Sequence, residues 1–207
     1  MEQQVKFDNL CSHYKDTYEL HKEDVKHRDK LFYSLLIVLG LFTIQSLSPE
    51  IVAEVMQDKA GESVAAIIVN DINLISTLLW FALFGLSSRY FQINIRIERQ
   101  YDYIHSLESG LNSFYPCSKA FTREGKSYLN KYPLFLNWMS ILYTIVFPML
   151  ILFVVSIQIL DEIKSDNENL VLDSMCCLVI YISVILYLLM IHGKTKFFKW
   201  LLRKNYR

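Results

Sequence analysis

Four apolar runs, at residues 31–47, 64–86, 134–160 and 170–191, are separated by two short acidic stretches and one long mixed stretch. An α-helix rises about 1.5 Å per residue and needs roughly 20 residues, with about 17 sufficient, to cross the hydrocarbon of a bilayer. All four runs therefore predict transmembrane helices. The second is the weakest, because Asn70, Asp71 and Asn73 interrupt its first half and leave 72–86 as its apolar part, which sets that polar trio near the far interface. Pro148 falls in the middle of the third run, where it removes a backbone donor and predicts a kink, a candidate hinge.

The segments flanking the first two runs also read as helix. Phe7, Cys11, Tyr14, Tyr18, His21, Val25, Arg28 and Phe32 recur at alternating steps of four and three, a heptad seam with aromatic and polar knobs. Tyr90, Ile97, Tyr101, Ile104 and Leu111 keep a comparable spacing after the second run, and no proline intervenes from 64 to 111. One helix enters the membrane and the other leaves it, so they are expected to pair antiparallel as a stalk, with Tyr14, Tyr18, His21, Tyr101 and His105 as candidate stalk or partner contacts. Gly110, Pro116, Gly125 and Pro133 punctuate the following segment, a linker with one short helix expected at 121–132.

Charge orients the chain. Basic residues crowd the segments before 31 and from 89 to 131 and the end after 193, whereas Lys59 and Lys164 are the only ones in the other two connections. Short basic connections stay in the cytoplasm, which predicts a multi-pass protein of a bacterial inner membrane with both termini inside. The outer loops carry Glu50, Glu54, Asp58 and Glu62, and Asp161, Glu162, Asp166 and Glu168. Five parts follow: a cytoplasmic helix (1–30), two spans with an acidic outer loop (31–86), a cytoplasmic helix and linker (87–133), two further spans (134–191) and a basic amphipathic tail (192–207). In that tail Lys196, Lys199, Trp200, Arg203 and Lys204 suit anchoring to anionic lipid. The fold class expected is all-α integral membrane, four transmembrane helices with the first two extended into a cytoplasmic stalk.

Composition agrees with this: 53% of residues are hydrophobic and 20% charged, below the quarter or so usual in soluble domains. Lys+Arg and Asp+Glu are equal at 21 each, so no excess charge seeks nucleic acid. Cys176 and Cys177 lie in an apolar run and Cys11 and Cys117 in expected cytoplasmic segments, so no disulfide framework is implied. The charged first thirty residues have no apolar core and are not a cleavable leader.

Candidate chemistry is sparse. Residues 120–127, ending Gly125-Lys126-Ser127, satisfy a relaxed phosphate-loop pattern. That chemistry needs a preceding strand, a glycine-rich turn and a following helix; 121–124 contain no glycine and Pro133 follows closely, so the match reads as chance. His13, His21, His27, His105 and His192 form no metal-ligand spacing, although His21 and His105 would meet if the stalk pairs. No nucleophile or carboxylate dyad is placed for catalysis, so neither an enzyme nor a cofactor is expected. The spans do carry a polar band near the outer face: Gln45, Asn70, Asp71, Asn73, Gln158 and Asp173. Such groups face other helices or a water-filled space; they either mark helix ends or, in an oligomer, ring a cation vestibule.

The order of parts over the first 111 residues, with Tyr90 to Leu111 as a returning cytosolic helix, resembles the SLATT membrane effectors of bacterial phage defence. The four-span outline with cytosolic ends is also similar to the membrane subunit of the Kiwa defence system. The resemblance is architectural and implies a homo-oligomer, dimer to tetramer, that contacts membrane lipid and docks a soluble cytoplasmic protein as sensor or effector, with no direct nucleic-acid binding. The alternative is a pore or channel subunit. A small-molecule transporter ranks below both, because the two span pairs share the order span, acidic loop, span but differ in their cytosolic extensions, and no charge sits at mid-bilayer.

Overall fold

A computed structural model describes residues 2–47, 72–115, 121, 134–164 and 169–192. The first acidic connection with Asn70 and Asp71, the phosphate-loop-like segment and the short helix expected at 121–132 apart from Phe121, and the basic tail with Lys196, Lys199, Trp200, Arg203 and Lys204 lie outside the described residues.

The described residues are helical. Helix α1 (Glu2–Leu47) runs for 46 residues without proline. Helix α2 (Ile72–Asn112) has 41 residues. Its last turn tightens: Ser113 N donates to Gly110 O at 3.3 Å, Phe114 N to Leu111 O at 3.1 Å and Tyr115 N to Asn112 O at 3.0 Å, which occupies carbonyls a helix end would otherwise leave open. Helix α3 (Leu134–Ile141) starts directly after Pro133, and a π-helical turn (Leu142–Val146) joins it to α4 (Phe147–Lys164). Helix α5 (Leu170–His192) follows Asn169, whose carbonyl accepts the first helical bond from Asp173 N at 3.1 Å. Glu2–Ser46, Trp138–Lys164 and Leu170–Ile191 are each long and apolar enough to cross a membrane.

The chain divides into two compact units, Met1–Lys30 with Gln92–Leu142, and Leu31–Phe91 with Tyr143–Arg207. In the first, α1 and α2 form an antiparallel hairpin, since partners of rising number on α1 fall along α2. Phe7 packs edge-on against Phe114 at 5.4 Å, Tyr14 OH donates to Glu108 Oε1 at 3.1 Å, and Arg96 Nη2 reaches Asp24 Oδ1 at 2.6 Å. The faces in contact follow the heptad spacing, with Ile93, Ile97, Ile104, Leu107 and Leu111 buried on α2. Four polar side chains of this unit, His21, Asp24, Asn94 and Glu108, are also buried. His21 and Asp24 are linked: His21 Nδ1 donates to Gln100 Oε1 at 3.2 Å, and Gln100 Nε2 donates to Asp24 Oδ2 at 2.9 Å. The expected meeting of His21 with His105 is replaced by this contact and by an edge-on packing of His21 on the Tyr101 ring at 4.5 Å. The outward positions of α1 are charged: Lys15, Asp16, Glu19, Lys22, Glu23 and Lys26 are exposed.

The second unit inverts that arrangement. Its interior combines large side chains, Leu35, Phe42, Trp80, Leu83, Tyr90, Ile151, Ile180 and Tyr187, with polar ones, while its outward face is apolar: Ile37, Phe153, Leu160, Val171, Met175 and Leu178 are exposed. An apolar surface of this extent would drive aggregation in water and fits contact with lipid chains.

Asp24 closes two of the hairpin's bonds from a site with only 13% side-chain exposure, whereas Arg96 is half exposed. Asp24→Ala strands Gln100 and Arg96 and is expected to cost the hairpin about 1–3 kcal/mol; Arg96→Ala, a half-solvated partner, costs about 1 kcal/mol or less. Hydrogen exchange at the amides of 92–112 reads the order: faster for Asp24→Ala than for Arg96→Ala, with equal rates contradicting it.

Candidate functional site

The chemistry of the second unit gathers where its helices carry Ser46, Ser76, Gln158 and Asp173. Glu162 lies at its centre, on the same face of α4 as Phe147, Ile151, Val155 and Gln158, all buried. Successive steps of three and four keep these residues in line along a helix. A carboxyl group carried into an apolar interior needs donors there, because no solvent supplies them. Glu162 Oε1 collects three: the Ser76 hydroxyl, Trp80 Nε1 at 2.9 Å, and Gln158 Nε2 at 3.2 Å from one turn back on its own helix. Ser76 and Trp80, four apart on α2, present both donors from a single face.

Two further carboxyls join the same helices. Asp173, fully buried in the first turn of α5, accepts from Thr77 Oγ1 at 3.4 Å. Ser46 on α1 donates to Asp161, which also has Lys164 one turn on at 4.0 Å. Ser156 and Tyr181 join hydroxyls between α4 and α5. Carboxyls on α4 and α5 thus tie those helices to α1 and α2. The free thiols Cys176 and Cys177 lie one turn beyond Asp173 and are buried.

Sequence positions and structure agree in part. Gln158 and Asp173 of the expected polar band are here, turned toward other helices. Gln45 lies beside Ser46 with its Oε1 buried and no hydrogen-bond partner among the described residues, and the side chain of Asn73 lies outside the described set. Asp161 and Glu162 were expected in an acidic outer loop beyond a run ending at 160; α4 instead continues to Lys164 and turns Glu162 inward. Ser76, Thr77 and Trp80 carried no signal as single residues. The signal that could have found Glu162 is the spacing 151, 155, 158, 162, which continues the inward face of the run.

The expected partner contacts on the hairpin are largely used within the chain. His21 is 5% exposed. Tyr14 bonds Glu108 and its ring lies parallel to that of Tyr18 at 6.3 Å, and Lys22 lies 5.1 Å from the Tyr18 ring centroid. Tyr101 keeps 42% exposure and His105 is half-buried.

Compared with known proteins, the chain matches no family model, no curated protein and no solved structure. Among the described residues no group of three or more His, Cys, Asp or Glu side chains could hold a metal ion. What this arrangement does chemically is join helices: each carboxyl takes hydroxyl, indole or amide donors from a neighbour, the interaction by which polar residues associate helices in an apolar medium.

Trp80→Phe keeps the ring and removes one donor to Glu162. Its expected cost is about 1–2 kcal/mol, read as an earlier midpoint when the protein in mixed micelles is unfolded with dodecyl sulfate. Ser76→Ala acts on the same oxygen, so the double variant should be non-additive with it; strict additivity, or a Trp80→Phe midpoint equal to the parent's, would refute the shared acceptor.

Proposed function

We propose that this chain is a subunit of an oligomeric bacterial inner-membrane sensor or effector, crossing the bilayer four times with both termini and the 87–133 segment in the cytoplasm. The α1–α2 hairpin is then a water-facing arm that docks a soluble partner protein. The phage-defence setting is the one the architectural resemblance implies. The observation that carries this reading is the contrast between the two units. One buries a polar network and presents Lys15, Asp16, Glu19, Lys22, Glu23 and Lys26 outward, while the other presents bare hydrocarbon. The basic residues clustered before 31, between 89 and 131 and after 193 support the orientation.

Glu162 and Asp173 are engaged with Ser76, Trp80, Gln158 and Thr77 within one chain, which favours a structural tie over a conducting ring and ranks the pore reading second. The proposal gives these carboxyls a structural and not a catalytic role.

A single cysteine at Lys15, in a chain with its native cysteines replaced, should react with a membrane-impermeant maleimide only after the inner membrane is opened. Labelling in intact spheroplasts would overturn the orientation. Charge reversal of Lys15, Lys22 and Lys26 together should abolish co-purification with the product of an adjacent gene while leaving oligomer mass in detergent unchanged. A detergent-bound monomer refutes the self-association. Steady currents in planar bilayers that vanish with Asp173→Asn would replace this reading with the pore.

A further inference from the structure

The π-helical turn at Leu142–Val146 sits just before Phe147 and Pro148, and the second unit holds a hydroxyl placed to favour it. In α geometry the amide at 148 serves the carbonyl of residue 144; in π geometry, where the donor lies five residues on, it serves residue 143. The π turn inserts one residue before α geometry resumes at Phe147, so the carbonyl of Tyr143, which the amide of 147 serves in the α register, is passed over, and Pro148, which has no N–H, cannot serve it in π geometry either. Tyr90 OH donates to Tyr143 O at 2.9 Å. Tyr90 is fully buried, with Phe147 edge-on to its ring at 5.3 Å. The hydroxyl therefore satisfies the carbonyl that only the π register opens.

Aromatic rings hold the same place from other helices. Phe32 of α1 packs against Tyr143 at 4.9 Å and against Phe147 at 4.5 Å, and Phe91 stacks on Tyr187 of α5 at 4.6 Å. Phe32 thus touches one ring inside the π turn and one beyond it. Removing the extra residue of a π turn changes the helical phase of everything before it by one residue, about 100°, which carries Tyr143 off Phe32 and leaves Phe147 in place.

We propose that the helical run from Leu134 to Lys164 has two registers, and that the hydroxyl of Tyr90 is the group that selects the π register. Loss of that single oxygen lets the turn close to α, rotating Tyr143 about the helix axis relative to 147–164. The device couples a buried residue of α2 to the register of the turn that precedes α4.

The test uses the full chain in lipid nanodiscs with its four native cysteines replaced by alanine. Two cysteine pairs, Phe32→Cys with Tyr143→Cys and Phe32→Cys with Phe147→Cys, are joined with a short bifunctional methanethiosulfonate. With Tyr90 present both pairs cross-link. In Tyr90→Phe the 32–143 yield should fall roughly fivefold, the population change expected from loss of one buried hydrogen bond, while the 32–147 yield holds. An unchanged 32–143 yield in Tyr90→Phe overturns the proposal. So does an equal fall of both pairs in Tyr90→Phe, which would make Tyr90 a packing residue alone.

Discussion

A polar side chain in an apolar helix bundle has no solvent to turn to, so its partner must be another helix, and this constraint organises the second unit. Glu162 would be very costly to bury alone. With Ser76, Trp80 and Gln158 around it it becomes a fixed point from which the relative rotation of α2 and α4 follows. Thr77 with Asp173 fixes α2 against α5, and Ser46 with Asp161 fixes α1 against α4. Apolar packing supplies less of this specificity, because hydrocarbon solvates Leu and Ile nearly as well as a neighbouring helix does. The directional contacts decide which faces meet.

The same constraint applies differently in the hairpin unit. There the apolar seam of Ile97, Ile104 and Leu111 supplies the burial, and the path from His21 through Gln100 and Asp24 to Arg96 supplies register. A slip of α1 along α2 by one turn would leave a buried carboxylate without its cation and a buried imidazole without its acceptor. Polar residues within a heptad seam fix alignment at some cost in stability. Asp24 and His21 fit that role.

Much of this was legible before any coordinates. The four apolar runs and the heptad steps along α1 are periodicities, and periodicity is local information. Glu162 was misplaced because a charged residue at the end of an apolar run resembles a loop, although its i+4 relation to Gln158 put it on the inward face. The heptad steps place His21 on the seam, but its contacts with Gln100 and Tyr101 in place of His105 depend on register, and spacing along one helix says nothing about register against another. Pro148 announced a disturbance. Its form, an inserted residue and not a simple bend, depends on Tyr90, which is 53 positions away along the chain. No window of sequence around Pro148 contains that donor.

The order in which the tied groups are synthesised has a consequence for assembly. Ser76, Thr77 and Trp80 emerge before Glu162, and Asp173 emerges after all of them. When α2 first leaves the ribosome, its hydroxyls and indole have none of their eventual acceptors, and its apolar stretch is the least able of the set to partition into lipid unaided. The contacts that fix α2 against α4 and α5 therefore close only after residues 162 and 173 have been made. A chain truncated before 162 lacks the acceptors of Ser76, Trp80 and Thr77, so the ties of its first helices depend on its C-terminal half.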